Sequence, residues 1–416
     1  MSISGAIYTC VAYALLPLAL LRLAWRASRM PEYGEHWLQR LGHYDAQPMS
    51  GPLIWIHAVS VGETRGAEPL VRALLDRYPN DRILLTCTTP TGRRAAGELF
   101  GDRVLRAYLP YDYPHAVARF LDHYRPRLGL LMETEVWPNL IRACSARGVP
   151  LYLVNARLSD KSFRRYGLVA PLARETFGAL SAVAAQTEED AARLRALGAR
   201  EVAVTGNLKF DVAPSTAHIE LGRAWRTRYG DRPVLLAAST RDGEEERLLD
   251  ALDAFTVPRL LLIIVPRHPQ RFDEVAALLE RRGVPYERRS ADRQIPAGTK
   301  VVLGDSMGEM AAHYAACDLA FIGGSLLPFG GQNLIEACAV GKPVLLGPHT
   351  YNFAEAATHA IDAGAAVRVG SASELAREAS ALMNDRQALA RMGERALAFS
   401  RAHQGATARV MSILRI

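Results

Sequence analysis

The chain has few of the features that mark several common classes of protein. Its five cysteines are odd in number, far apart and without a C-x-x-C pair, so neither a disulfide framework nor a zinc site is indicated. No G-x-G-x-x-G segment follows the first strand of either half, which argues against a dinucleotide dehydrogenase. The lack of a zinc knuckle, an aromatic ladder or a long basic block makes nucleic acid a poor candidate partner. We therefore predict a protein body that lies in a reducing cytosol and binds no nucleic acid.

The composition is that of a globular protein with an anionic partner. At 416 residues the chain is too long for one ordinary core, so two domains are expected. Hydrophobic residues make up 49% and charged residues 22%, which argues against disorder. The net charge of +7, dominated by arginine, points to nucleic acid, a membrane surface or a phosphorylated substrate. With nucleic acid disfavoured, the other two are the better candidates.

An apolar segment at the N-terminus predicts a membrane anchor over residues 1–29. Residues 3–21 carry no charge and approach the ~20 apolar residues that span a bilayer. Arg22, Arg26 and Arg29 follow, which predicts that the rest of the chain stays cytoplasmic. A secretory signal would instead need positive charge before the apolar core and a cleavage site after it. Two alternatives stay open: a helix that lies in one leaflet, and a first helix packed on the protein body.

Beyond this segment, short apolar runs alternate with helix-period segments. Such uninterrupted runs are typical of parallel strands covered on both faces. The pattern lapses over about residues 210–228 and resumes at Pro233, which predicts two α/β domains, 30–214 and 215–416, the second including the C-terminal helices. We expect two doubly wound, Rossmann-like sheets that face a cleft, with ligands at the carboxyl ends of the strands. The predicted strands are LIWIHAV, RILLTCT, LGLLME, LYLVN, SAVAAQ, VAVTG, PVLLAAS, LLLIIVPRH, KVVLGD, LAFIGGS and PVLLGP.

The segment from Phe329 to Ala337 places a glycine turn directly before a helix whose first turn carries amides and a carboxylate. Glycines let the backbone approach a ligand closely, and free N–H groups at a helix start favour phosphate. Asn333 and Glu336 are three residues apart and could both face a ligand, where the carboxylate suits a ribose diol. The alternative is a tight turn capped by Asn333. Together with the buried strands on either side, the segment indicates a sugar-nucleotide site.

Acidic residues follow two predicted strands of the first half. Glu63 lies in the loop or first helical turn after the first strand, as a candidate general base or as a carboxylate stabilised by the helix dipole. Glu133 and Glu135 follow LGLLM. Because carboxylates two apart on an extended chain point in opposite directions, we expect one inward group and one structural partner rather than a metal site. Lys209 adds a cation where the first domain ends.

Basic residues and polar turns follow the strands of the second half. Arg267 and His268 end a strand so apolar that both must emerge at the edge of the sheet. The guanidinium of Arg267 suits phosphate, whereas a single histidine such as His268 is more often structural than catalytic. In the segments 304–310 and 239–241, a polar turn again follows a predicted strand. Three such turns in one domain favour nucleotide binding over any one of them alone.

Seven segments closely resemble, in the same order, the 3-deoxy-D-manno-octulosonic acid (Kdo) transferases of lipopolysaccharide synthesis. The resemblance runs from about Met30 to the C-terminal helices. It implies a GT-B-type glycosyltransferase with an N-terminal membrane-anchor helix, bound to the cytoplasmic face of the inner membrane, that moves Kdo from CMP-Kdo to a tetraacyl lipid A precursor. The segments are HAVSVGE, METEVWPN, NARLSDKSFRRY, GNLKFD, VPRHPQRF, GDSMGEM and FIGGSLLPFGGQNLIEA.

The resemblance also implies roles for individual residues. By this resemblance, Glu63 corresponds to the catalytic base of the family. Glu133 and Lys209 correspond to residues that stabilise the transition state. No cofactor or metal is expected, because a CMP-sugar carries a single phosphate and the chain has no D-x-D pair, so cations and helix dipoles can replace Mg²⁺. The implied partners are CMP-Kdo, the lipid A precursor and inner-membrane lipids. By the same resemblance, the residues that correspond to the CMP pocket of the family are Arg267, His268, Met307, Gly308, Glu309, Asn333, Leu334, Ile335 and Glu336.

Several readings stay open. Lys161, Arg164 and Arg165 could meet phosphates of the acceptor, or could form a solvated basic face. A UDP-sugar transferase or an epimerase would use a similar nucleotide site, although an epimerase needs no membrane anchor. A membrane-tethered nucleotide-binding protein without catalysis is the alternative from another class. Glu63 beside the other motifs favours an enzyme.

Overall fold

The computed structural model describes residues 2–44 and 51–415 and divides into two compact units. The first unit runs to Val212 and takes up the chain again from Gln404, and the second unit is Ala213–His403. Each unit contains one seven-stranded sheet whose strand pairs are all parallel. This confirms the α/β class predicted from the uninterrupted apolar runs.

The sheet of the first unit has the order β3-β2-β1-β4-β5-β6-β7. Its three central strands are buried along their whole length, because helices cover both faces of the sheet. The strands are β1 (Leu53–His57), β2 (Arg82–Cys87), β3 (Val104–Tyr108), β4 (Leu128–Met132), β5 (Leu151–Ala156), β6 (Ala182–Ala185) and β7 (Val202–Val204). The helices are α1 (Ile3–Arg29), α2 (Val61–Gly66), α3 (Glu68–Arg77), α4 (Pro90–Phe100), α5 (Pro114–Tyr124), α6 (Pro138–Ala146), α7 (Asp160–Gly167), α8 (Ala170–Gly178) and α9 (Glu188–Ala196).

The sheet of the second unit has the order β10-β11-β9-β8-β12-β13-β14. Short helices and turns alternate with its strands in the same way. The strands are β8 (Val234–Thr240), β9 (Leu261–Pro266), β10 (Tyr286–Arg288), β11 (Val301–Leu303), β12 (Leu319–Ile322), β13 (Val344–Leu346) and β14 (Ala366–Arg368). The helices are α10 (Thr216–Tyr229), α11 (Glu244–Asp250), α12 (Arg271–Arg281), α13 (Met310–Ala316), α14 (Ile335–Ala339), α15 (Ala354–Asp362), α16 (Ala372–Asn384) and α17 (Arg386–Ala402).

The last helix, α18 (Ala406–Ile413), belongs to the first unit and not to the second, where the sequence analysis placed it. The carboxylate of Asp211 accepts hydrogen bonds from the backbone N–H groups of Gly405, at 2.6 Å, and Thr407, at 2.5 Å. Val410 and Met411 are buried in the core of the first unit. Apolar burial and this carboxylate therefore hold the end of the chain on the first unit.

Helix α1 is the one helix of the described residues that is long and apolar enough to cross a membrane, by length and composition. Its N-terminal half packs on the first unit: Tyr8 donates to Asp112 at 2.9 Å, and Thr9 donates to Asn139 at 2.9 Å. This is one of the alternatives that the sequence left open, and membrane attachment stays a prediction. The large apolar side chains that α1 exposes are Ile3, Ile7, Val11, Leu15, Leu18, Leu21 and Trp25.

Each sheet has one point where the direction of chain winding reverses. In the first unit β1 and β4 are neighbours there, and in the second unit β8 and β12 are neighbours. Ligands of open parallel sheets bind outside the carboxyl ends of the strands at such a reversal. The residues that follow these four strands are therefore the first place to look for chemistry.

Candidate active site

Glu63 lies in the first turn of α2, directly after β1. Ser60 caps this helix, with its side chain accepting a hydrogen bond from the backbone N–H of Glu63. In return, the Glu63 carboxylate accepts a hydrogen bond from the Val59 N–H at 2.9 Å and one from the Ser60 hydroxyl at 3.2 Å. This reciprocal arrangement resembles a capping box, except that the carboxylate binds the N–H of the residue before the N-cap. It fixes the orientation of a carboxylate that the local sequence would place there for structural reasons alone.

The environment of Glu63 raises its pKa to about 7. Burial is the main cause, because it disfavours the charged form, and the nearby carboxylates of Glu133 and Glu135 add to the effect. The hydrogen bonds from Val59 and Ser60 act in the opposite direction. A carboxylate with a pKa near neutrality is well suited to accept a proton from a hydroxyl group.

Glu133 does not lie on an extended chain, contrary to the expectation from the sequence. Strand β4 ends at Met132, and Glu133 has a positive φ of 55°, in the left-handed region, within a turn. The argument that Glu133 and Glu135 point in opposite directions was therefore wrong. Both carboxylates act electrostatically on Glu63.

Two cations hold the Glu133 carboxylate. The Lys209 Nζ lies 3.1 Å from Glu133 Oε1, and the Arg157 Nε lies 3.1 Å from Glu133 Oε2. Burial opposes ionisation of Glu133, but the two cations outweigh it and hold its pKa below the ordinary value. Glu133 is therefore a buried group that is held in its ionised form. Sequence reasoning missed Arg157, which follows β5, the neighbour of β4 in the sheet.

Three side-chain amides, of which those of Asn155 and Gln186 are buried, position Lys209. The Asn207 side chain accepts from the Lys209 N–H at 3.0 Å and donates to Gln186 at 3.0 Å. The Asn155 side chain accepts from the Leu208 N–H at 3.0 Å. These side chains come from the ends of β5, β6 and β7, so the sheet itself fixes the turn that carries Lys209.

Glu135 has a separate set of contacts. It accepts a hydrogen bond from the Trp137 indole at 2.9 Å, and its Oε2 lies 4.0 Å from Nε2 of the fully buried His57. Burial lowers the pKa of His57 to about 4, so this ring is neutral at pH 7. Burial also raises the pKa of Glu135, and the nearby charge of Glu133 adds to this increase. The site thus holds three glutamates with different environments, of which Glu133 is the one compensated by cations.

The second unit brings basic residues together after β8 and β9. Arg267 follows β9, and its N–H donates to the carbonyl of Thr240 at 3.0 Å. Burial lowers the pKa of His268, and the guanidinium groups of Arg241, Arg267 and Arg271 lower it further. The structure therefore places Arg267 and His268 in a positive environment after β9, beside the carboxyl end of β8.

The segment from Met307 to Glu309 precedes α13. Met307 is 53% exposed, and Gly308 has a φ of 84°. The Glu309 carboxylate accepts hydrogen bonds from Arg289, at 3.0 Å, and from the hydroxyl of Ser306. Glu309 is thus held by its own unit and turned toward Arg289.

A buried carboxylate that sequence reasoning missed organises the loop after β12. Glu244 is fully buried and accepts hydrogen bonds from the N–H groups of Gly324 at 2.6 Å, Leu326 at 2.9 Å and Arg241 at 2.9 Å. It therefore ties the turn after β8 to the turn after β12. The sequence shows three consecutive glutamates, 244–246, and no local signal tells that Glu244 and Glu245 are buried and Glu246 is exposed.

The glycine turn before α14 packs closely against its own unit. Gly330 has a φ of 90°, and a Cβ there would lie 2.4 Å from the Tyr351 ring, so another residue would not fit. Asn333 donates to Glu336 at 2.9 Å and accepts from the Ile335 N–H at 3.1 Å. Asn333 therefore binds both the first N–H of α14 and the Glu336 side chain, and the nucleotide site at this turn stays a prediction. Leu334 and Ile335 are buried, and their side chains belong to the core.

Neither a metal-binding cluster nor the surface cavity of the first unit coincides with the candidate site in the described residues. No group of three or more His, Cys, Asp or Glu side chains among them is arranged to hold a metal ion. A surface cavity of about 740 Å³ lies elsewhere on the first unit, between the 38–44 segment and the C-terminal end of α5, and includes Arg119 and His123. None of the predicted site residues lines it.

Comparison with known proteins gives the same class for both halves of the chain. The family described as 3-Deoxy-D-manno-octulosonic-acid transferase (kdotransferase) matches residues 35–212, and the family described as Glycosyl transferases group 1 matches residues 242–399. The fold is similar to that of UDP-GlcNAc 2-epimerase from Neisseria meningitidis, with a TM-score of 0.61 at 16% identity, covering 87% of this chain and 99% of that chain. These findings and the two parallel sheets define a GT-B-type glycosyltransferase.

Two curated relatives identify the family. The chain is 47% identical to the 3-deoxy-D-manno-octulosonic acid transferase of Bordetella pertussis, over 98% of both chains. It is 37% identical to the transferase of the same name from Haemophilus influenzae, over 98% of this chain and 97% of that protein. The chain belongs to the Kdo transferase family. This confirms the resemblance that the seven motifs indicated.

Proposed function

We propose that this protein transfers Kdo from CMP-Kdo to a tetraacyl lipid A precursor in lipopolysaccharide synthesis, with Glu63 as the general base. The observation that carries the proposal is the pairing of two glutamates with opposite pKa shifts at one sheet edge. Glu63 has a pKa near 7, and Glu133 is held ionised by Lys209 and Arg157. Groups whose environments separate their pKa values in this way are typical of acid–base sites.

The chemistry follows from these charges. A hydroxyl group of the acceptor attacks the anomeric carbon of Kdo, and its proton passes to the Glu63 carboxylate. The bond between that carbon and the phosphate oxygen breaks, and CMP leaves with the electron pair. Glu133 and Lys209 supply fixed charges for the positive character that develops on the sugar and for the negative leaving group.

We assign the CMP moiety to the turns of the second unit. Arg267 and the neighbouring guanidinium groups offer positive charge to the single phosphate. Gly308 and the segment from Asn333 to Glu336 present backbone and polar groups, with Glu336 suited to the ribose. His268, Met307 and Glu309 complete the proposed pocket. Because cations and helix starts supply the positive charge, the proposal needs no cofactor and no metal ion.

We also propose that α1 attaches the protein to the cytoplasmic face of the inner membrane. The apolar side chains that α1 exposes and its basic C-terminal end support this. Deleting residues 3–21 should shift much of the protein to the soluble fraction, and any residual membrane binding should fall with salt. Salt-resistant sedimentation of a well-folded truncated protein would contradict α1 as the main attachment.

The direct test is mass analysis of the lipid A precursor after incubation with CMP-Kdo. The expected product is the precursor increased by the mass of one or more Kdo residues, with release of CMP that requires the acceptor. A parallel incubation with UDP-GlcNAc should leave that nucleotide sugar unchanged. Consumption of UDP-GlcNAc without transfer of Kdo would favour an epimerase instead, and CMP binding without any turnover would favour a non-catalytic protein.

A further inference from the structure

The end of the chain contacts the short turn that carries Lys209. This turn is the four-residue 3₁₀ helix Leu208–Asp211, which comes shortly after β7. Side-chain amides of Asn155 and Asn207 hold its first half, by accepting from the N–H groups of Leu208 and Lys209. Its second half ends at Asp211, and this residue binds α18.

Asp211 binds the start of α18 with both carboxylate oxygens. Oδ1 accepts from the Gly405 N–H at 2.6 Å, and Oδ2 accepts from the Thr407 N–H at 2.5 Å. Gly405 is the N-cap of α18, so these N–H groups belong to the helix end that favours negative charge. Hydrogen bonds to an ionised acceptor are about twice as strong as those between neutral groups. Asp211 therefore fixes the last residue of the turn to a helix that begins 194 positions further along the chain.

Two further contacts join α18 to the same region. The Arg409 Nε donates to the Thr205 carbonyl at 2.8 Å, directly after β7. Leu208 is fully buried and belongs to the same apolar core as Val410 and Met411 of α18. Side chains in a close-packed core have little room to shift. Helix α18 thus contacts the segment before the turn, the first residue of the turn and its last residue.

Lys209 lies between these fixed points, and its side chain has little freedom of its own. Its Nζ lies 3.1 Å from Glu133 Oε1. A Cβ at Gly66 would lie 3.3 Å from Cε and 3.4 Å from Cγ of Lys209. Gly66 is the last residue of α2, the helix that carries Glu63. The stem of Lys209 therefore runs along α2, and a displacement of the turn would displace the ammonium group itself.

We infer that Asp211 is a positioning residue for Lys209, and that α18 thereby holds the ammonium group of Lys209 at Glu133. The inference rests on the proposed function, which gives Lys209 its role in the transition state, and it adds the element that fixes this residue. Asp211 acts through Lys209, because its own carboxylate is taken up by two backbone N–H groups. Fixed charges stabilise a transition state only where they are held in place, and a misplacement of about 1 Å can lower the rate by about 100-fold.

The test is a double-mutant cycle on Asp211 and Lys209, with CMP-Kdo and the tetraacyl lipid A precursor as substrates. Asp211→Asn keeps the shape of the side chain but offers one acceptor oxygen, so one of the two N–H groups of α18 would face an NH₂ group. This variant should lower kcat by about 10- to 100-fold. The KM for CMP-Kdo should stay within about twofold of the wild type, because the groups assigned to CMP belong to the second unit.

Non-additivity distinguishes positioning from a general loss of structure. Lys209→Gln alone should lower kcat by about 10²- to 10³-fold, the effect of losing one charge-stabilising group. In the Lys209→Gln background, Asp211→Asn should cause little further loss, because no ammonium group is left to misplace. A residue that only stabilises the unit would lower kcat by the same factor in both backgrounds. Equal factors would therefore overturn the inference.

The matched control is Glu201→Gln. Glu201 is another carboxylate of the first unit that binds the C-terminal segment, since it accepts from Arg415 at 3.0 and 3.2 Å. It precedes β7, whereas Lys209 follows this strand, so the two lie at opposite ends of it. This variant should keep the kcat of the wild type. An equal fall of kcat in Glu201→Gln and Asp211→Asn would reject Asp211 as the positioning group, because any loosening of the C-terminal segment would then suffice.

If Asp211→Asn does not fold, Arg409→Gln decides. Arg409 is exposed, and its replacement removes the hydrogen bond to the Thr205 carbonyl while Asp211 keeps both of its partners. The variant should lower kcat by about 10-fold, the effect of one hydrogen bond, and this loss should disappear in the Lys209→Gln background. Thermal unfolding and calorimetric titration with CMP identify a folding defect independently of activity. If Arg409→Gln folds and its effect is absent or equal in both backgrounds, the inference is wrong.

The same measurements separate the inference from the proposed function. The wild type reports on the proposed function alone, and no Kdo transfer in that arm would reject the function. Transfer by the wild type with unchanged kcat in Lys209→Gln would reject the role of Lys209. A fall of kcat in Lys209→Gln with full activity of Asp211→Asn would reject only the positioning by Asp211.

Discussion

The two units build their candidate sites by different means. In the first unit, the candidate site is made of charged side chains that follow four strands: Arg157 and Lys209 contact Glu133, and Glu133 acts electrostatically on Glu63. In the second unit, the candidate site is formed mainly by backbone turns. The buried Glu244 holds two of these turns together by accepting hydrogen bonds from three N–H groups. A reaction needs charges of defined pKa, whereas a nucleotide can be recognised by backbone groups and a few cations. The difference predicts that mutations in the first unit change turnover and mutations in the second change binding.

The largest effect is expected at Glu63. Glu63→Gln keeps the shape of the side chain and cannot accept a proton, so turnover should fall by about 10²–10⁴-fold. CMP affinity, measured by calorimetry, should stay within about twofold of the wild type. Glu68→Gln, in the neighbouring helix α3 and paired with Arg72, is the control and should keep full activity. Turnover of Glu63→Gln within a few-fold of the wild type would end the assignment of Glu63 as base.

The pH dependence of the wild type should report the same group. Glu63 must be ionised to act, so kcat/KM should rise with pH through about 7. The sign for stability is the opposite, because the pKa in the folded protein lies above its ordinary value of 4.5. The stabilising contribution is complete below pH 4.5 and is lost as pH rises through 7. Glu63→Gln should therefore unfold at an equal or higher temperature than the wild type at pH 8.

The next prediction concerns the turns of the second unit that Glu244 holds together. Glu244→Gln leaves at least one of three buried N–H groups without its charged acceptor, which should cost about 2–4 kcal/mol of stability in the second unit. CMP affinity should fall as the turns after β8 and β12 loosen. Thermal unfolding and calorimetry with CMP measure both. Glu246→Gln, an exposed neighbour on α11, should change neither. A stable Glu244→Gln variant with unchanged CMP affinity would show that these turns do not depend on the buried carboxylate.

Every strand that is buried along its whole length was predicted from the sequence, whereas three of the four edge strands were missed. The fourth edge strand, β7, was predicted because its residues are all apolar. The eleven predicted strands all formed. Three strands were missed, β3, β10 and β14, and each is an edge strand of its sheet. Their residues are partly exposed, so apolar runs do not mark them.

The candidate site was also predicted only in part from the sequence. Sequence placed Glu63, Glu133 and Lys209 at strand ends, which parallel topology brings to one edge. It missed the left-handed turn at Glu133, because a positive φ at a glutamate has no local signature. It also missed Arg157, because the adjacency of β4 and β5 decides that contact. Pairings across a sheet depend on register, which a single sequence does not specify.

The third prediction concerns the two cations on Glu133. Arg157→Gln leaves Lys209 as the remaining compensation, so the charge of Glu133 should act more strongly on Glu63. The Glu63 pKa should then rise, and the acid limb of the kcat/KM profile should move above 7, with about a 10-fold loss of activity at pH 7. Arg164→Gln, exposed on α7 and paired with Asp160, should leave the profile unchanged. A lower activity with an unmoved acid limb would mean that Arg157 acts on substrate rather than through Glu133.

The smallest effect is expected where α1 contacts the first unit. Tyr8→Phe removes the hydrogen bond to the buried Asp112, which still accepts from the Asn139 and Leu140 N–H groups, at 3.0 and 2.7 Å. Loss of one such bond should lower the stability of the first unit by about 1–2 kcal/mol, measured by thermal unfolding in detergent. CMP affinity should not change, since the second unit carries the proposed nucleotide site. Cys10→Ala on the same helix, an exposed position, is the control. A Tyr8→Phe variant as stable as this control would show that α1 does not pack on the first unit through Tyr8, and would leave membrane insertion as the role of the whole helix.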